Sequence, residues 1–148
     1  PRAAPRPAGR RFGTLVHAVL RDVELTAEPE RVRAVVALHA RLLGATAGEI
    51  DGAVHAVETA LRHPVLIAAQ QATRCEREWP LIFRQGERLV EGVVDLAYRN
   101  GGCWQVVDFK TDEDLSARRA HYETQVKWYA VALSAITGLP ARAVLLAV

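Results

Sequence analysis

The segments Glu91-Gly92-Val93-Val94-Asp95 and, thirteen residues beyond Asp95, Asp108-Phe109-Lys110 carry the side chains best suited to chemistry. Both segments read as β-strand. Strand side chains alternate between faces, so Asp108 and Lys110 emerge side by side with Phe109 behind them. If the two strands pair, Asp95 comes up beside Asp108. Two carboxylates and one ammonium at one end of a hairpin make a cation site with a charged amine at its edge, which is equipment for metal-assisted hydrolysis of a phosphodiester.

The plainer alternative for Asp108 and Lys110 is a surface ion pair. Against it, Cys103-Trp104-Gln105-Val106-Val107 leads in as a buried strand, and the charges arrive at its carboxyl end, where ligand sites of open α/β sheets collect. Asp95 rises between Val93 and Ala97 on an otherwise apolar row. A lone buried carboxylate is costly unless it is paired or binds a metal. Lys110 could be its partner, or a divalent cation could bridge Asp95 and Asp108. Oxygen ligands of this kind suit magnesium or manganese, with water in the remaining positions. The chain has 17 Arg and two Lys, Lys110 and Lys127. Against that background a lysine in the charged triplet reads as chosen for its chemistry, because it can share or lose a proton where Arg cannot.

Several elements must position these residues. Residues 1–11 are rich in Pro, Ala and Arg and read as a disordered linker. Helical spacing begins at Gly13 with Leu15, Val16, Val19 and Leu20. A second helix is predicted over about Glu30 to Leu43, stopped by Gly44. Thr46 with Glu49 resembles a capping box that opens a third helix through about Arg62. A short turn follows from His63-Pro64 through about Gln71. Strands are predicted over Glu76–Phe83, Arg88–Tyr98 and Cys103–Lys110, with the tight turn of the last pair at Arg99–Gly102. A long helix from about Leu115 to Thr137 carries Tyr122, Val126, Tyr129, Leu133 and Ile136 as an apolar stripe, and Ala143–Val148 is a final strand. A long helix crossing to that strand implies a parallel return into the same sheet. The fold class is therefore α/β with a mixed central sheet and an N-terminal helical segment.

Composition sets outer bounds. A chain of 148 residues, 50% hydrophobic, supports a sizeable core. Its net charge of +2 says nothing by itself about nucleic acid. Cys75 and Cys103 are too few and too far apart for a cluster or a Cys-rich zinc site, and both read as buried thiols in a cytoplasmic protein. No run is long and apolar enough to span a membrane, so no membrane partner is expected. The absence of any Met and the Pro-rich start suggest a domain excised from a larger polypeptide.

Four motifs in order now carry a resemblance: Gly13-Thr14-Leu15-Val16-His17, Gly92-Val93-Val94-Asp95, Asp108-Phe109-Lys110-Thr111 and Gln125-Val126-Lys127-Trp128-Tyr129. The pattern resembles the RecB-type branch of the PD-(D/E)XK nucleases, found at the C-terminus of AddA- and RecB-like helicase–nucleases, and it covers residues 12–148. The resemblance implies a restriction-endonuclease-like core and a Mg2+-dependent deoxyribonuclease, with Mn2+ as a substitute. It implies an exonuclease module of DNA repair and recombination, working on DNA beside an ATP-dependent helicase domain. His17, Asp95 and Asp108 match the metal-binding residues, with the Phe109 backbone carbonyl as an additional ligand, and Lys110 matches the lysine that orients the attacking water. Gln125 and Tyr129, four apart on one helix face, match a pair that contacts DNA or braces the site. Glu78 falls where relatives often carry a further acid. Arg10, Arg11, Arg118 and Arg119 are candidates for phosphate contact, and the run Asp112-Glu113-Asp114 reads as a solvated loop. The alternative is an inactive nuclease-like module that binds DNA or serves a structural role in a helicase.

Overall fold

The computed structural model describes residues 7–148, apart from the side chains of residues 85, 112–114, 116 and 117. Residues 1–6 of the expected linker and the side chains of the acidic run Asp112-Glu113-Asp114 lie outside the described residues. The chain divides into a helical unit up to Leu66 and a strand unit from Ile67 to Ala147.

The helical unit holds α1 (Arg10–Asp22), α2 (Pro29–Leu43) and α3 (Ala47–Leu61). The first helix starts three residues before Gly13, inside the stretch read as linker, because Arg10 and Arg11 continue the helix that Phe12 anchors by burial. Gly44 ends α2 in the left-handed region at φ 63°, a conformation that costs glycine little. The capping box is present. Glu49 N–H donates to Thr46 Oγ1 at 3.4 Å, and Thr46 N–H donates to Glu49 Oε2 at 2.7 Å. The same carboxylate accepts from Arg11 Nε at 3.0 and 3.1 Å, tying α1 to the start of α3. His39 is an ordinary core histidine, 2.8 Å from Asp22 through Nε2.

In the strand unit, β1 (Arg74–Gln85), β2 (Arg88–Asn100), β3 (Cys103–Lys110) and β4 (Ala141–Ala147) form one sheet in the order β1-β2-β3-β4. The first three are antiparallel and β4 runs parallel to β3, returning through the long α5 (Asp112–Thr137). This is the α/β fold with a mixed sheet that the pattern predicts, consistent with a restriction-endonuclease-like core. β1 extends two residues beyond each expected end and β2 two beyond its second end, β4 starts two residues earlier and stops one short at Ala147, and the ends of β3 agree. Gly101 and Gly102 make the two-residue turn at φ 58° and 81°, values that suit a right-twisted hairpin and strain other residues. Before β1 lies the short α4 (Pro64–Gln70). Among the described residues no helix is long and apolar enough to cross a membrane.

The buried face of the sheet packs against α5 through Val94, Ala97, Trp104 and Val106 on one side and Val126, Tyr129 and Leu133 on the other. Gly92 has a steric role there. A Cβ at that position would lie 2.6 Å from Tyr129 Oη and 2.8 Å from its Cζ. The thiols depart from expectation: Cys75 is exposed and Cys103 half-buried, both free, because Cys75 stands near the start of the edge strand β1.

Two outcomes follow. Gly92→Ala should force the Tyr129 ring off β2 and lower stability by about 1–3 kcal/mol, measured by denaturant unfolding, as overpacking of a fitted core does; parental stability would show that the ring yields freely. The second concerns acid. Arg11, then the Thr46 N–H, hold the Glu49 carboxyl at about 2, below its ordinary 4.5. A depressed folded-state value stabilises fully above the unfolded value and is lost as pH falls through the folded one. The unfolding midpoint should therefore drop between pH 4.5 and 2. Glu49→Gln, which keeps a capping amide, should flatten that slope.

Candidate active site

The β2–β3 ladder ends at the pair Leu96↔Val107. The next positions in that register are Asp95 and Asp108, so the two acids stand opposite each other where β2 parts from β3. Past this point β3 remains paired with β4 as far as Lys110↔Ala147, and β2 remains paired with β1 as far as Arg88↔Gln85. The site is thus a fork in the sheet, with a carboxylate on each arm.

At the fork a side chain replaces the missing ladder bond. The Phe109 N–H donates to Asp95 Oδ2 at 2.8 Å. That bond turns the Asp95 carboxylate toward β3. Asp108 and Lys110 share a strand face, as alternation requires, and Lys110 Nζ lies 2.7 Å from Asp108 Oδ2. Asp108 is only 5% exposed. This buried oxygen has the ammonium charge beside it and, among the described residues, no directed hydrogen bond. An acceptor in that state fits a hard divalent cation, which takes carboxylate oxygens without a directional N–H.

The helix α5 closes the site from above. Gln125 Nε2 donates to Tyr129 Oη at 3.1 Å. Burial first, and then the Asp108 carboxylate, push the Tyr129 hydroxyl above its ordinary range, with Asp95 adding a smaller push the same way. Tyr129 is therefore both core and site: its ring is buried in the apolar cluster, and its hydroxyl stands within the field of both acids. Beside it, Arg88, Val90, Glu91, Gln125, Trp128 and Tyr129 line a cleft of about 260 Å³.

Of the residues singled out by sequence, Asp95, Asp108, Lys110, Gln125 and Tyr129 are brought together in the strand unit. His17 lies half-buried on α1 in the helical unit. Among the described residues no three His, Cys, Asp or Glu side chains are gathered as a metal-holding set. At the fork itself, the described donors are the two carboxylates and the backbone beside them. Glu78 is exposed and sits at φ 47°, at the point where the β1–β2 register passes from Arg77↔Leu96 to Trp79↔Val94, opposite Asp95. A non-glycine residue in that conformation costs about 1–3 kcal/mol. Two of the four arginines are engaged elsewhere, Arg11 with Glu49 at 2.9 Å and Arg119 with Glu123 at 2.9 Å.

Tyr122 was legible only as part of an apolar stripe. Its ring instead lies 4.6 Å below Lys110 Nζ. The spacing Tyr122, Gln125, Tyr129, at i, i+3 and i+7, places all three on one helix face and is the signal that could have found it.

No curated protein matches the chain. A family profile described as the PD-(D/E)XK nuclease superfamily matches residues 2–148, nearly the full length, and the match takes in the carboxylate fork and the lysine beside it. The chain belongs to the PD-(D/E)XK nuclease superfamily.

Proposed function

We propose that this chain is a metal-dependent deoxyribonuclease of the RecB type, the exonuclease module of a cytoplasmic helicase–nuclease of DNA repair and recombination. Superfamily membership supports nuclease activity and the use of a divalent metal ion. The observation that carries the reading is the buried Asp108 Oδ2, set across from Asp95 and accompanied by an ammonium rather than a directed hydrogen bond.

Asp108 and Asp95 would hold the cation, Mg2+ or Mn2+, through carboxylate oxygens, with the Phe109 carbonyl as a further donor. When bound, such an ion neutralises phosphate charge and makes a coordinated water more acidic. The chain's own residues do the rest. Lys110 orients the attacking water and offsets charge that builds on the phosphate oxygens. Asp95 keeps the backbone at Phe109 in register, so that Asp108 and Lys110 stay on the same face. Gln125 and Tyr129 brace the acids and offer polar atoms to the DNA backbone. His17 is proposed as a metal-site residue on its motif alone. Hydrolysis needs no covalent intermediate, since water displaces the 3′-oxygen directly. Binding of DNA would be largely electrostatic and would weaken with salt.

The deciding assay uses end-labelled linear and circular DNA with and without magnesium. Cleavage should require the metal and stop on chelation. Asp108→Ala and Lys110→Ala should each reduce it by about 100-fold or more while unfolding midpoints show a folded protein. Variants that cut at the parental rate would remove these residues from the site. Cutting of circles would exclude a purely exonucleolytic enzyme, and no cutting of either DNA would favour an inactive nuclease-like module.

A further inference from the structure

We propose that Tyr122 is a positioning residue for Lys110: its ring keeps the ammonium at the site when a divalent cation takes the Asp108 oxygen that Lys110 otherwise contacts. The proposal rests on the reading of Asp108 as a cation ligand.

Among the described residues, Lys110 Nζ has two close attractive neighbours, Asp108 Oδ2 at 2.7 Å and the Tyr122 ring centroid at 4.6 Å. A cation on Asp108 would remove the first and repel the ammonium as well. A lysine on a flexible four-carbon stem would then swing toward solvent. The ring does not compete with the metal, because its face offers π-electron density to a cation and no oxygen to the ion. It can therefore retain Lys110 in both states. Tyr122 is also better placed for this than a simple core residue. It is half-buried, and it sits on the α5 face that carries Gln125 and Tyr129. At Arg118 the helix departs from helical geometry, with φ −137° and ψ 24°, and the Arg118 guanidinium lies 5.7 Å from the same ring. One aromatic ring thus serves two cations beside the carboxylate fork.

The two-lysine composition makes the contact directly observable. In protein labelled with 13C-lysine, the side-chain signals of Lys110 should be displaced upfield by the ring current, with the exposed Lys127 as internal reference. Tyr122→Leu should return them to the Lys127 position, and Tyr122→Phe should keep them displaced. In the unsubstituted protein the displacement must persist when magnesium saturates; its collapse would overturn the proposal without any variant. In cleavage, Tyr122→Leu should lower kcat about tenfold or more with KM little changed, and Tyr122→Phe should restore it. A raised KM with unchanged kcat and unmoved Lys110 signals would make the ring a DNA contact and overturn the proposal, as would a Phe variant as impaired as Leu. If the unsubstituted protein cuts no DNA with any divalent ion, the nuclease reading fails, and the lysine signals alone decide whether Tyr122 holds Lys110.

Discussion

One hydrogen bond, from the Phe109 N–H to Asp95 Oδ2, stands where the sheet stops being a ladder. Every backbone N–H needs a partner, and at this position the neighbouring strand has already turned away. A carboxylate supplies the acceptor. Because it is an anion, the bond is stronger than a neutral one and ties the two arms of the fork together. That contact supports the facing of Asp95 and Asp108, while strand alternation and pairing with β4 set the side from which Asp108 and Lys110 emerge.

The charges around the fork then settle one another. Asp108 is buried beyond what a lone carboxylate tolerates, and Lys110 is the cation that offsets it. Tyr129 completes the enclosure from α5, and Gly92 is what allows the ring to reach that far over β2. A glycine on the second strand, a tyrosine on the last helix and a carboxylate on the third strand thus form one unit, although they lie far apart in sequence. The amide of Gln125 fixes the hydroxyl end of that unit.

Much of this was legible in the sequence. Side-chain alternation placed Asp108 and Lys110 together, and the Gly101-Gly102 turn brought Asp95 into register opposite them. The capping box at Thr46 and Glu49 and the parallel return of β4 were equally plain. What the sequence left hidden depends on tertiary approach. Nothing in the local pattern told that Tyr122 would meet an ammonium rather than apolar neighbours, since a tyrosine on a helix stripe reads the same in either setting. The start of α1 is not legible because Arg10 and Arg11 have the composition of a linker, and the clamp between Arg11 and Glu49 shows what orders them. Cys75 reads as buried from its type alone, while its position on an edge strand leaves it outside.

The fork also gives the sheet an uneven stiffness. On the β4 side, β3 is stitched by backbone bonds to its last residue; on the β2 side it is joined at the fork by a side chain. Widening the gap between the acids therefore breaks no ladder. It needs only a rotation of the Asp95 side chain, a soft motion beside the separation of two paired strands. The floor of the site is rigid and one wall is compliant, so the spacing between its two carboxylates can adjust to what lies between them while the strand that carries the lysine stays still.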